Sequence, residues 1–249
     1  MSQKNETAVL FLALLITVGL VGGGAWFLKD NIWPQNSQDD SNSLQLNNKL
    51  ITDRISFGEK TLSSIEASPT KKEGITALAS GNYSRAISNL EAALKLNKND
   101  PETLIFLNNA RIGTTKNSTI VASVPLGTDP NGTLEILRGI AQAQNEINAA
   151  GGIKGVPLKV GIANDDNNPE VAQQIANALV KNQEVLGVVG PYASDVTLAA
   201  GTVYTAGQLV AISPISTSVK ISNFTQILHL ETWMSKPQLR ARWARCSIL

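Results

Sequence analysis

The residues best suited to chemistry in this chain lie in short loops that follow apolar stretches. Ser194 comes after Gly190-Pro-Tyr-Ala at the start of a helix-forming stretch, where its hydroxyl and backbone N–H groups suit a carboxylate. The alternative for Ser194 is a simple N-cap, which uses the same residue type at the same place. The segment Ser213 to Ser218 carries four hydroxyls in six residues. It suits an ammonium group held by oxygen atoms, or an ordinary polar turn.

Two adjacent acids, Asp165 and Asp166, form a third candidate group. Paired carboxylates are able to hold a metal ion. Two acids just before a helix start more often interact with the helix dipole and cap its first turn. We therefore expect the dipole and cap roles, and the sequence predicts no metal site and no cofactor.

Enzyme and nucleic-acid functions are disfavoured by composition. Residues 1–228 contain neither histidine nor cysteine, because the chain has only His229 and Cys246. The usual general base and thiol nucleophile are therefore missing, and Ser194 has no basic partner nearby in sequence. A formal net charge of +1 over 249 residues gives no basic field for nucleic acid. We predict a protein that is not an enzyme.

The loops with candidate chemistry are positioned by an alternation of strands and helices from residue 118. Apolar and β-branched runs predict four strands, and helical periodicity predicts three helices between them. The strands are Thr119–Pro125, Leu158–Ala163, Val185–Val189 and Leu209–Ile212, and the helices are Thr133–Ala149, Pro169–Lys181 and Ser194–Ala206. Short joints in such an alternation predict an α/β fold with a parallel, doubly wound sheet. Ligand groups are then expected beyond the carboxyl ends of the strands.

Two helices with a turn at Gly81-Asn82-Tyr83 precede this block, within residues 72–112. The small Gly74 and Ala86 and the bulky Tyr83 and Leu90 resemble the pattern of a tetratricopeptide repeat. Asp100-Pro101 starts a further helix. One and a half repeats are fewer than a stable solenoid needs, so a plain helical hairpin packed on its neighbour stays an alternative to a peptide-binding surface.

The N-terminal region predicts membrane attachment. Ala8 to Leu28 carries no charge, and at about 1.5 Å per residue it reaches roughly the 30 Å of a bilayer core. We expect a transmembrane anchor over residues 1–28, with a cleaved signal peptide as the alternative. The weak charge bias around it favours a single-pass protein of the inner (plasma) membrane with its body on the periplasmic side. Residues 29–71 are expected to be a linker, and Arg54 to Lys60 suggests no function.

Four motifs in order carry a family resemblance. They are Asn-Ala-Ala-Gly-Gly-Ile-Lys-Gly at 148–155, Asp165-Asp166 with Asn168-Pro169, Gly-Val-Val-Gly at 187–190 and Ile-Ser-Pro-Ile-Ser-Thr at 212–217. Together they resemble the type I periplasmic branched-chain amino-acid-binding proteins of ABC importers. The resemblance covers about residues 118–226 and implies the first lobe of that fold. An anchor and a tetratricopeptide-like segment ahead of it resemble cyanobacterial relatives.

The resemblance implies roles for particular residues. Ser194 is expected to bind a ligand carboxylate, while the carbonyl of Ile215 and the hydroxyl of Thr217 bind its amino group. Tyr192 lines the cleft or shields the end of the sheet. The implied function is a solute receptor for an amino-acid importer, with an ABC permease and the membrane as partners. The alternative is a membrane-anchored sensory protein, or one that interacts through its helical repeat.

The tail from residue 227 to 249 is expected to depart from the family. It changes composition, with Trp233, Trp243 and several arginines near the end. A frameshift or premature end after about Gln226 is the hypothesis, and a basic tail on a membrane surface is its alternative. A single lobe is expected to bind an amino acid weakly, because two lobes normally close around the ligand.

Overall fold

The computed structural model describes residues 50–63, 67–224 and 227–229. The predicted anchor at 1–28, the first part of the predicted linker and most of the predicted tail lie outside these residues. Within the described ranges, no helix combines the length and the apolar character that a membrane crossing requires.

Six strands and six α-helices lie wholly within the described residues, which begin with three further helical residues at 50–52. The strands are β1 Ile55–Ser56, β2 Ser118–Val124, β3 Leu158–Asn164, β4 Val185–Val189, β5 Val210–Ser213 and β6 Ile227–His229. The helices are α1 Pro69–Ala79, α2 Tyr83–Leu96, α3 Pro101–Ile112, α4 Pro130–Ala149, α5 Pro169–Lys181 and α6 Ser194–Ala206. A short 3₁₀ helix, Val219–Asn223, follows β5. The four strands and three helices predicted from periodicity are therefore present, with small shifts at their ends.

The strands make one sheet in the order β1-β3-β2-β4-β5-β6. Strands β2 to β6 are parallel to their neighbours, whereas β1 runs antiparallel to β3 and pairs Ile55 with Ala163. The sheet is therefore mixed, and the prediction of a purely parallel sheet is wrong at this edge. The reason is that β1 lies in the predicted linker, where two residues are too short to give a strand pattern.

Helices cover both faces of the sheet. One apolar cluster joins Val121, Ala163 and Val188 of the strands to the inner sides of α5 and α6. A second cluster joins Ala122, Val160 and Ile162 to α3 and α4. Neighbouring residues of one strand enter opposite clusters because side chains alternate across a sheet. This arrangement confirms the doubly wound α/β architecture.

The corner between α4 and β3 depends on glycine. Gly152 has φ of +83°, and a Cβ there would lie 2.4 Å from the carbonyl oxygen of Val156. The Asn148 side chain bonds both the N–H (2.7 Å) and the carbonyl (2.9 Å) of Leu158, the first residue of β3. The corner therefore sets the register of β3.

Helix α3 connects the helical segment to the sheet, and most of its side chains are buried. The amide of Asn109 donates to the carbonyls of Phe57 (2.8 Å) and Val160 (2.7 Å). Its oxygen accepts from the N–H of Val160 (3.2 Å) and from Gln144 of α4 (2.9 Å). Because β1 pairs with β3 only at Ile162 and Ala163, Asn109 takes the place of a strand beside Val160.

A buried ion cluster holds the segment before α1 against α3. Lys71 Nζ lies 2.7 Å from carboxylate oxygens of both Asp100 and Glu102. Glu102 also accepts hydrogen bonds from Thr61, Leu62 and Ser63. We call Lys71, Asp100, Glu102, Asn109 and Gln144 the hairpin junction. Residues 50–63 are therefore part of the folded unit, which corrects their assignment to the linker at 29–71.

Strand β6 extends the sheet beyond Gln226. It pairs in parallel with β5, and Ile212 lies opposite Leu228. The expectation that the lobe ends at residue 226 therefore needs correction, because the sheet continues through His229. The short length of β6 explains why its sequence pattern was not recognised.

Candidate functional site

Four loops meet at the edge of the sheet where the parallel strands end. They follow β2, β3, β4 and β5, and we call residues 125–129, 165–168, 190–193 and 214–218 the carboxyl-edge loops. Parallel strands bring their carboxyl ends to one edge, as the sequence analysis expected. Three of these loops lead into helices α4, α5 and α6, whose N-terminal ends therefore lie at this edge.

The loop between β4 and α6 is tightly held at its start. Gly190 has φ of +118°, and a Cβ at this position would lie 2.2 Å from the carbonyl oxygen of Ser123 in β2. The next carbonyl, that of Pro191, accepts hydrogen bonds from Ser213 (3.0 Å) and Thr197 (3.2 Å). Because Ser213 ends β5, these bonds fix the β4 loop against the β5 loop.

Ser194 is the first residue of α6 and is half-buried. Ala193 occupies the N-cap position and makes no side-chain cap bond, while the Asp195 carboxylate accepts from the N–H of Val196 (2.9 Å) in the first turn. The N-cap alternative for Ser194 is therefore wrong, because the helix begins one residue earlier than a serine cap requires. The hydroxyl of Ser194 instead accepts a hydrogen bond from Ser216 (2.9 Å).

The loop after β5 divides its side chains between the interior and the surface. Ser213 and Ser216 are buried, and the backbone N–H of Ser216 donates to Ser213 (3.3 Å). Ile215 is 48% exposed, and Thr217 is exposed as well. Among the described residues, the Thr217 hydroxyl has no hydrogen-bond partner. The loop thus uses two hydroxyls for its own structure and presents Thr217 outward.

Tyr192 bridges two of the loops. Its hydroxyl is hydrogen-bonded to Asp129, which precedes α4 and also accepts from the N–H of Gly132 (3.0 Å). That hydrogen bond, with burial and the charge of Asp129, raises the pKa of Tyr192. Tyr192 is half-buried and therefore keeps part of its ring at the surface. This placement is compatible with both expected roles, lining a cleft and shielding the sheet end.

The two acids after β3 tie loops together. Asp165 is fully buried and accepts from Ser123 (2.7 Å) and from the N–H of Asn167 (3.0 Å). Burial raises the pKa of Asp165 even though these hydrogen bonds oppose the shift. The cap of α5 is Asn168, which accepts from the N–H of Val171 (3.0 Å). The expected cap role for the two acids is therefore corrected.

Asp166 joins three segments. One carboxylate oxygen accepts from Arg54 (2.7 Å) and the other from the N–H of Gly127 (3.0 Å). Sequence reasoning gave no role to Arg54, since it precedes a strand of only two residues. The one available signal was the alternation of apolar and polar side chains at Ile55, Ser56 and Phe57. Within the described ranges, no group of three or more acidic, histidine or cysteine side chains is arranged to hold a metal ion.

Comparison with known proteins bears on this same region. Residues 129–233 match the family model described as periplasmic binding protein. An amino acid binding protein of Pseudomonas aeruginosa is 40% identical over 85 residues, which cover 34% of this chain and 23% of the relative. A Leu/Ile/Val-binding protein homolog of Brucella abortus is 33% identical over 93 residues, covering 36% and 25%. The chain therefore spans about a quarter of the length of these curated relatives.

A solved structure gives a partial superposition. It is the branched-chain amino acid transporter substrate binding protein of Streptococcus pneumoniae, in complex with isoleucine. The TM-score is 0.44 at 28% identity, and the superposition covers 46% of this chain and 33% of that one.

The fold and the matched residues define an α/β lobe of the periplasmic-binding-protein kind with a mixed sheet. Residues 129–233 are thus similar to periplasmic binding proteins, and the two curated relatives are amino-acid-binding proteins. The match runs past Gln226 to residue 233, so the expectation that the resemblance stops at 226 is wrong for that stretch. The helical segment α1 to α3 lies outside the match.

Proposed function

We propose that this chain is a solute-binding receptor component of an ABC importer for branched-chain amino acids. The observation that carries the proposal is the hydrogen bond between Ser216 and Ser194 (2.9 Å). It brings the start of α6 beside the hydroxyl-rich loop after β5. Both segments lie inside the region that matches the family.

In this proposal the ligand's two charged groups have separate partners. The hydroxyl of Ser194 and the N-terminal end of α6 receive the carboxylate, since the N-cap residue Ala193 supplies no side-chain acceptor to this helix end. The Ile215 carbonyl and the Thr217 hydroxyl receive the ammonium group. Tyr192 lines the same edge. The side chains of Ile215 and Thr217 are exposed, as expected for one side of an open cleft.

We expect weak binding from this lobe by itself. A ligand held on one side keeps much of its surface in water, and burial between two lobes normally supplies most of the affinity. A dissociation constant in about the millimolar range follows for the 249-residue chain. Micromolar binding of leucine measured by calorimetry would contradict this expectation.

A panel of ligand analogues tests the proposal. Leucine is titrated into the ¹⁵N-labelled chain beside leucinamide, which lacks the carboxylate, and 4-methylpentanoate, which lacks the amino group. We expect Ser194→Ala to weaken leucine and 4-methylpentanoate but not leucinamide. We expect Thr217→Val to weaken leucine and leucinamide but not 4-methylpentanoate.

Matched controls come from the same chain. Ser222→Ala and Thr202→Val alter exposed hydroxyls that bond only to local carbonyls. They should leave all three titrations unchanged. Equal responses of the site variants to the three compounds would contradict the assignment of carboxylate and ammonium partners.

The membrane anchor, the periplasmic location and the permease partner belong to the same proposal. They rest on the uncharged stretch Ala8–Leu28 and on the family that residues 129–233 match. Protease protection of the chain in intact cells and in opened cells tests the location. Degradation in cells whose outer membrane alone is opened is the expected result, and protection there would contradict it.

A sensory or repeat-mediated interaction protein is the second candidate. It is favoured by the helical segment, which lies outside the family match and is nevertheless joined to the lobe through α3. Neighbouring permease and ATPase genes would favour transport, whereas a neighbouring kinase or cyclase gene would favour sensing.

A further inference from the structure

We propose that Arg54 is a positioning residue for the loops after β2 and β3, and through them for the ligand site. Arg54 does not itself touch the proposed ligand partners Ser194 and Thr217. It acts on the loop that carries Asp129, the partner of Tyr192. The effect of the loops on ligand binding rests on the proposed function, whereas the effect of Arg54 on the loops does not.

Arg54 contacts both the last residue of β3 and the loop that follows it. Its Nη1 donates to the Asp166 carboxylate (2.7 Å) and to the carbonyl of Asn164 (3.3 Å). The Arg54 carbonyl in turn accepts from the N–H of Asn164 (2.9 Å). The Arg54 and Asp166 side chains are 33% and 29% exposed, so water screens their ion pair only in part.

The loop after β3 contains backbone conformations that depend on supporting contacts. Asp166 and Asn167 have φ of +50° and +53°, in the left-handed region that residues other than glycine rarely adopt. Such conformations persist where surrounding contacts hold them in place. The contacts of the Asp166 carboxylate to Arg54 and to Gly127 are of this kind.

Asp166 also holds the loop after β2 through a hydrogen bond. Its second oxygen accepts from the N–H of Gly127 (3.0 Å), and a Cβ at Gly127 would lie 2.5 Å from that oxygen. The side chain of Asn164 adds a parallel contact by accepting from the N–H of Leu126 (3.0 Å). Two residues after Gly127 comes Asp129, which holds Tyr192. Side-chain contacts thus run from Arg54 to Gly127, and the backbone of the same loop connects Gly127 to Asp129.

Arg54 is itself fixed by the rest of the molecule. Ile55 and Ser56 pair with β3, and Glu102 of α3 holds Thr61 and Leu62 at the other end of the segment. The family match begins only at residue 129. The loop after β3, which lies inside the match, is therefore supported by a part of this chain that lies before the match.

The electrostatics of Asp166 agree with this geometry. Burial alone would raise the pKa of Asp166, but hydrogen bonds from Arg54 and Gly127, together with the charge of Arg54, lower it below its ordinary value. Removing the guanidinium should move this pKa upward. The pKa of Asp166 therefore reports on the contact directly, without any ligand.

The test compares Arg54→Ala, Arg54→Lys and the control Lys60→Ala. Lys60 lies in the same segment and pairs with Asp53 (3.6 Å), but it does not touch either loop. Amide exchange at Gly127 and the carboxyl titration of Asp166 are followed by NMR without ligand. Arg54→Ala should speed Gly127 exchange about tenfold, as expected for loss of a charge-assisted contact, and should raise the Asp166 pKa.

Arg54→Lys should rescue part of both effects, because lysine keeps the charge but loses the planar fork. Lys60→Ala should change neither. In an Asp166→Asn background, Arg54→Ala should add little, since the two side chains act through one contact. Wild-type exchange at Gly127 together with an unchanged Asp166 pKa in Arg54→Ala would overturn the proposal.

A leucine titration of the same variants separates this proposal from the proposed function. We expect Arg54→Ala to weaken leucine binding about fivefold, the low end of typical coupling between sites. Loop responses to Arg54→Ala in a chain that binds no leucine would support the positioning role and contradict the proposed function. Leucine binding that stays at wild-type strength while the loops respond would overturn the step from loops to ligand.

Discussion

The hairpin junction and the carboxyl-edge loops are both rich in polar side chains, yet they use them differently. In the junction, Lys71 and Glu102 are almost fully buried and bonded to each other. The side-chain amide of Asn109 is hydrogen-bonded to the backbone of β3. In the loops, Ser213 and Ser216 are similarly engaged, but Ser194 is half-buried and Thr217 is exposed.

This difference distinguishes polar side chains that stabilise the fold from polar side chains that are available to a ligand. A polar group that is buried and bonded within the protein stabilises the fold and has little capacity for a ligand. A polar group that the protein holds on one side and that is exposed to solvent on the other is available to bind a ligand. Substitutions in the junction should therefore change stability most, and substitutions in the outer loop positions should change ligand binding most.

The largest expected effect is that of Lys71→Ala. It leaves the carboxylates of Asp100 and Glu102 without their cation inside the fold. Breaking a buried ion pair from one side costs about 3–5 kcal/mol of unfolding free energy. Urea denaturation measures the loss, and Lys72→Ala, an exposed neighbour on the same helix, should change stability little. Equal effects of the two variants would contradict a structural role for the junction.

Asn109→Leu is expected to come next. It removes the hydrogen-bond partners of the Val160 N–H and carbonyl. These groups lie on the outer edge of β3, at a position that β1 does not reach. Unpaired buried groups cost roughly 1–3 kcal/mol each, so a loss of about 2–4 kcal/mol is expected in the same experiment. The control Asn177→Leu alters an exposed amide on α5 that bonds only within its own helix. Retained stability in Asn109→Leu would show that α3 is not needed as an edge cover.

Ser213→Ala should have a smaller effect. Its hydroxyl donates to the Pro191 carbonyl (3.0 Å) and accepts from the N–H of Ser216 (3.3 Å). Loss of these bonds should cost about 1–2 kcal/mol. Amide exchange in residues 214–218 should rise along with it, as hydrogen-exchange NMR would detect. Unchanged exchange there would mean that Ser213 does not hold the β5 loop.

The smallest effect concerns pH. The pKa of Asp166 is lowered in the folded chain, so its stabilising contribution is present above the unfolded pKa and is lost as pH falls through the folded pKa. The relevant range lies below about pH 4. Asp166→Asn should remove this contribution to the loss of stability in acid. The contribution is about 1 kcal/mol of unfolding free energy or less. Denaturation curves at pH 3 and pH 6 measure it, and an identical pH response of both proteins would contradict it.

Regular elements were predictable where local chemistry agreed with packing. Helix α5 begins and ends as predicted because Asn168 caps it and Pro169 occupies its first position. Strand β4 matches because an apolar run of five residues lies between β2 and β5, with Val185 and Val188 buried. The bounds of these elements follow from residues that lie next to each other in the sequence.

Contacts between distant segments were not predictable. Asp166 meets Arg54 across more than a hundred residues, and Asn109 meets Val160 only because α3 lies along the sheet edge. Ser194 looked like a cap because serine before a helix usually is one, whereas its structural partner is Ser216 of another loop. Side-chain roles at this site are set by tertiary contacts, and a linear pattern does not contain them.

The central claim is that the carboxyl-edge loops, and not the hairpin junction, receive an amino acid. The most direct test is a leucine titration of the full chain, mapped residue by residue through backbone amide shifts. We expect saturable shifts at Ser194, Ile215 and Thr217, no shift at Asn109 or Glu102, and weaker binding in Ser194→Ala. Shifts confined to the junction, or loops that do not respond to leucine at tens of millimolar, about ten times the expected dissociation constant, would contradict the account.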